Sequence, residues 1–406
     1  MGDAPLTVVG LGADGWAGLP EPSRAALHDA EVLLGGPRQL DLLPDDVTGE
    51  RRAWPSPLVP ALPGLLEEYD GRRVAVLASG DPMFFGIGAT LARIAGPERL
   101  RVLTHPSSAA LACARLGWGS EHVTVLSVVG RPLDALRRAL APGARLLVLS
   151  AGAGSPSQIA ALLDDAGWGP SRMTVLERLG AADERVVTGT AAGWRGESDA
   201  LNVVAVEAVP ERGTRLLGET PGLPDDAYVH DGQLTKRDVR AVTLAHLAPR
   251  PGELLWDVGA GSGSIGIEWM RADRTCRAVA VESRPERAER IAANAAALGV
   301  PGLKVVVGPA PDALADLERP DVVFVGGGLT RAGVLDACLD ALGPGGRIVA
   351  NAVTVQSEAA LAAAHAAHGG ELVRVQVSRA EPVGGFHGWR PAMPVTIWTY
   401  EKENLP

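Results

Sequence analysis

The chain has 406 residues, 46% of them hydrophobic and 21% charged, with a formal net charge of −10. This length calls for two or three cores, and the acidic balance argues against a protein that grips the phosphate backbone of nucleic acid. With no apolar run of about 18 residues, no charged-then-apolar leader, and Cys113, Cys276 and Cys338 far apart without C-x-x-C spacing, a soluble, reduced, cytoplasmic protein is expected.

Strands and helices alternate almost throughout, which predicts α/β domains with largely parallel sheets. The first strand, from Leu6, runs into a glycine turn at Gly10 and Gly12 with no acid ahead of it. A second strand, Val74 to Ser79, enters the loop Ser79-Gly80-Asp81-Pro82, and Met83-Phe84-Phe85-Gly86 then opens a helix. Asp81 has two equal readings, an Asx-type turn or a ligand contact. Pro106-Ser107-Ser108-Ala109 repeats the geometry after the next strand, so three polar loops can converge on one cleft. Leu201 to Glu207 reads as the last strand of this half, and a Gly/Pro-rich connector follows. The boundary is placed near 213, giving domains 1–212 and 213–406.

A new helix is expected from Thr235, a plausible N-cap followed by Asp238, with Val239, Val242 and Leu247 at helical spacing. Residues 254–268 then carry the strongest signal: a buried strand, Asp257, and the turn Gly259-Ala260-Gly261-Ser262-Gly263 opening an amphipathic helix. G-x-G-x-G is not the dinucleotide fingerprint G-x-G-x-x-G, and a carboxylate at Asp257 would repel a pyrophosphate. It suits a ligand carrying an ammonium and a sulfonium, as S-adenosylmethionine does. Arg277 to Glu282 is the next strand, and its terminal acid lies about twenty residues past the turn, where a ribose diol is gripped. Strands 303–307 and 321–325 end in Gly308-Pro-Ala310-Pro and Gly326-Gly-Gly328, turns that should border the cofactor and its acceptor. Asn351, at a later strand end, is the candidate for facing the acceptor, although a sheet-end asparagine is as often a turn former. Arg331, Arg347, Arg379 and Arg390 are candidates for binding carboxylates as bidentate forks. The eight histidines are scattered and none pairs at ligand spacing, so no metal site is expected.

These motifs together carry a resemblance. The first half resembles the tetrapyrrole methylase family, through Val9-Gly10-Leu-Gly12, Ala78-Ser79-Gly80-Asp81-Pro82 and Gly130-Arg131-Pro132. The second resembles the small class I methyltransferases of cobalamin synthesis, through Leu234-Thr235-Lys236, the glycine turn, Gly308 to Pro311, Gly326 to Gly328 and Pro344 to Thr354. Both halves in this order are similar over essentially the full length to the fused methyltransferases of that pathway.

The resemblance implies a tetrapyrrole methylase of two α/β subdomains followed by a Rossmann-like class I methyltransferase. It implies methylation of two meso carbons of a precorrin, positions five and fifteen, with loss of carbon dioxide from an acetate arm and no metal. It places S-adenosylmethionine at Gly10, Gly12, Ser79, Gly80, Asp81 and Phe84 in the first half. In the second half it places the cofactor at Thr235, Asp257, Gly259, Ala260, Gly261, Ser262, Gly263, Glu282 and Ala310. A homo-oligomer is implied as well. Val129 departs from the family, standing where a histidine precedes Gly-Arg-Pro, so a second reading leaves the chemistry to the C-terminal half and makes the first a docking or dimerisation module. A third, an NAD-linked oxidoreductase, is disfavoured by Asp257 and the turn spacing.

Overall fold

The computed structural model describes residues 6–403 and divides the chain into two compact units. One contains 1–131 and 141–214, and the other contains 132–140 and 215–406.

The first unit holds two five-stranded sheets. In the first sheet, β1 (Leu6–Leu11), β2 (Val32–Gly35), β3 (Glu50–Ala53), β4 (Val74–Ser79) and β5 (Leu100–Leu103) lie in the order β3-β2-β4-β1-β5, all parallel. β1 and β4 are buried on both faces, which is why they read as continuous apolar runs. The second sheet contains β6 (Val123–Ser127), β7 (Arg145–Leu149), β8 (Arg172–Glu177), β9 (Arg185–Thr190) and β10 (Asn202–Glu207), in the order β6-β7-β10-β8-β9. Only β6 and β7 pair in parallel here; the other three ladders are antiparallel, which makes this sheet the exception to the largely parallel pairing expected. β8 and β9 are joined by a short connection, and that allows an antiparallel pair without a crossover helix.

The second unit is built on one seven-stranded sheet: β11 (Leu254–Val258), β12 (Arg277–Glu282), β13 (Lys304–Val307), β14 (Val322–Val325), β15 (Arg347–Ala352), β16 (Glu371–Val375) and, past a hairpin, β19 (Val395–Glu401). Its order is β13-β12-β11-β14-β15-β19-β16, with β19 antiparallel to both of its neighbours. The hairpin is β17 (Ser378–Val383) and β18 (Phe386–Pro391). Trp269, Phe324 and Trp398 fill the two layers of core on the faces of the main sheet. Strand order reverses between β11 and β14, so a crevice opens beyond their carboxyl ends, where the glycine turn and Gly326 to Gly328 lie. The expected helix starts later than Thr235: it spans Arg237–Leu247 with Lys236 at the N-cap, so Thr235 is not its cap. Asp225 supplies the missing acceptor from outside, taking the Arg237 N–H at 2.9 Å.

Candidate functional site

A cavity of about 740 Å³ occupies the crevice of the second unit, within the range of small-molecule sites. Its walls include Thr235, Gly259, Ala260, Gly261, Glu282, Ala310 and Asn351, seven of the residues expected from sequence. Asp257, Ser262 and Gly263 do not line it.

Gly259 (φ +71°) lies so close to the Gly326 to Gly328 turn that an added Cβ would stand 2.8 Å from the Gly327 Cα. The two turns therefore close the floor of the crevice backbone to backbone, leaving room for a ligand above. Gly263 does a different job: a Cβ there would meet Ile291 at 2.7 Å, so the third glycine serves helix packing.

Asp257 corrects the expectation of a charge presented to the donor. Its side chain turns under the helix Ser264–Ala272, where it accepts the Gly266 N–H at 2.9 Å. The N-cap of that helix is Gly263, which has no side-chain oxygen to offer, and the strand supplies one instead. Residue Asp257 is 1% exposed, and its second oxygen is buried without a hydrogen-bond partner. Burial, helped by the charge of Glu282 and opposed by the Gly266 N–H, pushes its carboxyl up to about 7.

The raised acid favours the protonated folded state, so its contribution is fully present below the unfolded value of about 4 and lost as pH rises through about 7. Asp257→Asn should flatten the stability profile between those limits and leave the variant more stable at pH 8, by an amount on the order of a few kcal/mol. Urea unfolding across pH checks this, and parallel curves for both proteins would refute it.

Glu282, at the end of β12, lies on the wall and is 4% exposed. Its carboxylate receives the N–H groups of Gly261 at 2.9 Å and Arg284 at 3.1 Å, and the Ser283 hydroxyl at 3.3 Å. Asn351 sits at the other end, at the tip of β15, and gives its amide NH2 to the Thr243 hydroxyl at 2.9 Å.

The four arginines divide. Arg331 and Arg379 line the cavity, paired with Asp312 at 3.6 Å and with Asp238. Arg347 does not: it is buried, forks onto Glu253 and donates to the Leu247 and Ala248 carbonyls, tying the helix end to the sheet. Arg390 is exposed on the hairpin against Glu381. Sequence reasoning missed Lys236, Arg284 and Arg287, which also line the cavity. Five cations thus face two acids, Asp238 and Glu282, within a chain of net charge −10. Four of the five are ion-paired, Lys236 with Asp225, Arg287 with Asp231, Arg331 with Asp312 and Arg379 with Asp238.

Thr235 is held in place by a buried cluster that sequence reasoning also missed. Arg240, fully buried, donates to the Thr235 carbonyl at 2.5 Å, to Glu268 at 2.6 Å and to the Leu223 carbonyl. Charged residues inside the apolar runs around 240 and 268 were the available signal.

In the first unit, Gly10, Gly12, Ser79 and Gly80 meet at the carboxyl ends of the neighbouring strands β1 and β4, where the Gly80 N–H reaches the Leu11 carbonyl at 3.0 Å. A Cβ on Gly80 would approach the Ser107 Cα at 3.2 Å, so the three polar loops do converge. Asp81 forms the Asx turn, accepting the Met83 N–H at 2.9 Å, and Ser79 accepts from Gln39 at 2.7 Å. Ser107 caps its helix through the Ala110 N–H. Phe84 is 38% exposed, edge-on to Phe85. Among the described residues no three His, Cys, Asp or Glu side chains come together as a metal-ligand group, and no helix is long and apolar enough to cross a membrane.

Known proteins share this organisation. Residues 5–193 match the tetrapyrrole (corrin/porphyrin) methylases and residues 226–402 match the precorrin methyltransferase domain. A precorrin-6Y C(5,15)-methyltransferase [decarboxylating] of Sinorhizobium sp is 51% identical, over 98% of this chain and 96% of its own length. That of Mycobacterium tuberculosis is 50% identical, over 98% of this chain and all of its own. The C-terminal domain of the Rhodobacter capsulatus precorrin-6Y C5,15-methyltransferase, a crystal structure, is 47% identical, covers 46% of this chain and 100% of its own, and has a TM-score of 0.44. With half its sequence shared along nearly its whole length, the chain belongs to the decarboxylating precorrin-6Y C(5,15)-methyltransferase family.

Proposed function

We propose that this protein methylates precorrin-6B at meso carbons five and fifteen, with S-adenosylmethionine as donor, and decarboxylates an acetate arm to give precorrin-8X in cobalamin biosynthesis. The observation that carries the reading is a crevice with the acid Glu282 at the end of one strand, cations on its wall, and a glycine floor without side chains. The residues fit the donor. Glu282 would take its ribose diol, and the Gly259 to Gly261 backbone and Ala310 would flank the nucleoside.

When bound, the donor supplies a methyl group on a positively charged sulfur. The protein's share is to align that methyl with the meso carbon and keep water out. The meso carbon of a reduced tetrapyrrole is enamine-like and supplies its own electron pair. The cations Lys236, Arg284, Arg287, Arg331 and Arg379 would hold the carboxylate arms. In decarboxylation the carbon–carbon electron pair enters the ring system and neutralises a protonated ring nitrogen, and a proton then returns to carbon to leave a methyl group.

The chemistry is assigned by domain: 213–406 to position fifteen and the decarboxylation, 1–212 to position five. A second donor site lies at Gly10, Gly12, Ser79, Gly80, Asp81 and Phe84. The same reading makes the enzyme a cytoplasmic homo-oligomer.

Full-length protein incubated with precorrin-6B and a methyl-labelled donor should give a product two labelled methyls heavier and one carbon dioxide lighter, read by mass spectrometry. One labelled methyl with the carboxyl lost would confine the chemistry to the C-terminal half. No transfer at all would end the proposal.

A further inference from the structure

We infer that Arg38 is a carboxylate anchor in the first unit, where it takes an acetate or propionate arm of the macrocycle presented for methylation at position five. The inference rests on the methyltransferase reading above, and it adds an acceptor contact to a half in which that reading names only donor loops.

Arg38 lies in the short helix Pro37–Asp41, which follows β2. Its guanidinium reaches the hydroxyl oxygen of Ser79, the last residue of β4, at 3.3 Å, and Gln39 gives its amide NH2 to the same oxygen at 2.7 Å. Ser79 therefore pins the tip of the side chain at the sheet edge where Gly10 and Gly80 gather. A hydroxyl is a neutral acceptor, so the charge stays uncompensated. Of the five N–H donors on a guanidinium the protein takes one, and among the described residues no carboxylate forms an ion pair with Arg38. Arg38 and Ser79 are both exposed, so a ligand can reach them.

A second cation raises the cost of leaving Arg38 unpaired. Arg178 follows β8 in a left-handed backbone conformation (φ +51°), and its guanidinium is gripped by Asp183 at 2.9 Å and by Asp199 at 3.7 Å. Partial burial, and then the charge of Arg178, hold the Arg38 guanidinium below its ordinary range, and Asp199 offsets them only in part. Arg178 has two acids and Arg38 has none. An anion on Arg38 relieves the repulsion between the two.

The surroundings select which anion. A guanidinium beside an amide NH2 and a hydroxyl matches a carboxylate held by a fork of N–H groups. The carboxylate of S-adenosylmethionine is a poorer match, because the adjacent carbon carries an ammonium that Arg38 and Arg178 repel. An acetate or propionate arm brings the negative charge alone. The loop leaving Ser79 supplies an apolar counterpart: Phe85 is 44% exposed, and Arg131 lies over its ring, 5.2 Å from the centre. An aromatic face with guanidinium groups near it suits a flat ring system whose rim carries carboxylates.

The test compares Arg38→Gln with Arg101→Gln, which removes one exposed charge from β5 of the same sheet. The probe is uroporphyrin, a flat tetrapyrrole whose arms are acetates and propionates, titrated into the full-length protein and followed by its fluorescence. Affinity should fall about tenfold for Arg38→Gln and stay within about twofold for Arg101→Gln. Arg38→Lys, which keeps the charge but not the fork, should fall between them. With precorrin-6B and a methyl-labelled donor, Arg38→Gln should raise the KM of the macrocycle for the position-five methyl by about the same factor. Its kcat and its calorimetric affinity for S-adenosylmethionine should stay within about twofold of wild type. Equal uroporphyrin affinity in wild type and Arg38→Gln, or equal loss in both glutamine variants, would overturn the inference. So would a loss of donor affinity with the macrocycle KM unchanged, which would give the carboxylate to the donor. Uroporphyrin affinity that depends on Arg38, in a wild type that transfers no methyl, would keep the anchor and fault the substrate assignment instead.

Discussion

Replacing Glu268 with alanine should cost about 3–5 kcal/mol of stability, because the buried Arg240 keeps only the partly exposed Asp225, at 3.3 Å, as a charge partner. Glu268 is 2% exposed and Arg240 is fully buried, and they meet at 2.6 Å. The carboxylate also receives Gly222 N–H at 2.5 Å, Leu223 N–H at 3.1 Å and the Tyr228 hydroxyl at 2.8 Å. Alanine would strand all three donors and leave the guanidinium to Asp225 and the Thr235 and Leu223 carbonyls. Tyr228 packs its ring 4.9 Å from that guanidinium, and burial beside Glu268 pushes its hydroxyl far up, so it cannot replace the lost charge. Glu268→Gln should cost less, because one amide oxygen still accepts while the NH2 faces donors. The double change Glu268→Leu with Arg240→Leu should recover only the part of the loss owed to the cation, since the Gly222 and Leu223 N–H groups and the Tyr228 hydroxyl still lack their acceptor. Urea unfolding of the single and double variants decides the matter, and a loss under about 1 kcal/mol for alanine would show the cluster to be incidental.

The same cluster explains what sequence could and could not show. The crevice was legible because its parts are local: a strand, a turn that needs glycine, and an acid at the next strand's end, all within thirty residues. β11, β12 and β14 appear within a residue or so of the expected spans for the same reason. Asp257 was misread in its direction because β11 is buried on both faces, so the alternation that tells one face from the other is absent. Arg347 was offered as a carboxylate fork, and it is one, but its carboxylate is Glu253, ninety-four residues away in the chain. Contacts of that separation leave no local mark. The cations Lys236, Arg284 and Arg287 were missed because surface-like charges flanking a turn look the same whether they face solvent or a cavity. The antiparallel second sheet and the hairpin 378–391 were missed because pairing partners are chosen in three dimensions.

Glu282→Ala should weaken the proposed binding of S-adenosylmethionine at the C-terminal site by about 10- to 150-fold, or roughly 1.5–3 kcal/mol for charge-assisted hydrogen bonds in a dry pocket. A carboxylate offers about four lone-pair positions. In Glu282, Oε2 spends one on Gly261, and Oε1 is shared between Arg284 and the Ser283 hydroxyl at a long 3.3 Å. Oε2 therefore has a place left for one ribose hydroxyl, and Oε1 gains one when Ser283 yields, so both hydroxyls of a diol can be held. Alanine also frees the Gly261 and Arg284 N–H groups, which could shift the turn and weaken binding by another route. A donor analogue lacking one ribose hydroxyl separates the two. It should bind the wild type worse than the natural donor, yet lose that handicap in Glu282→Ala, because the acid that reads the hydroxyl is gone. Calorimetry on the full chain should show two binding transitions, of which the substitution moves only one. If neither transition moves, or if the analogue keeps its full handicap in the variant, the ribose is held elsewhere and the end of the crevice assigned to Glu282 must be reassigned.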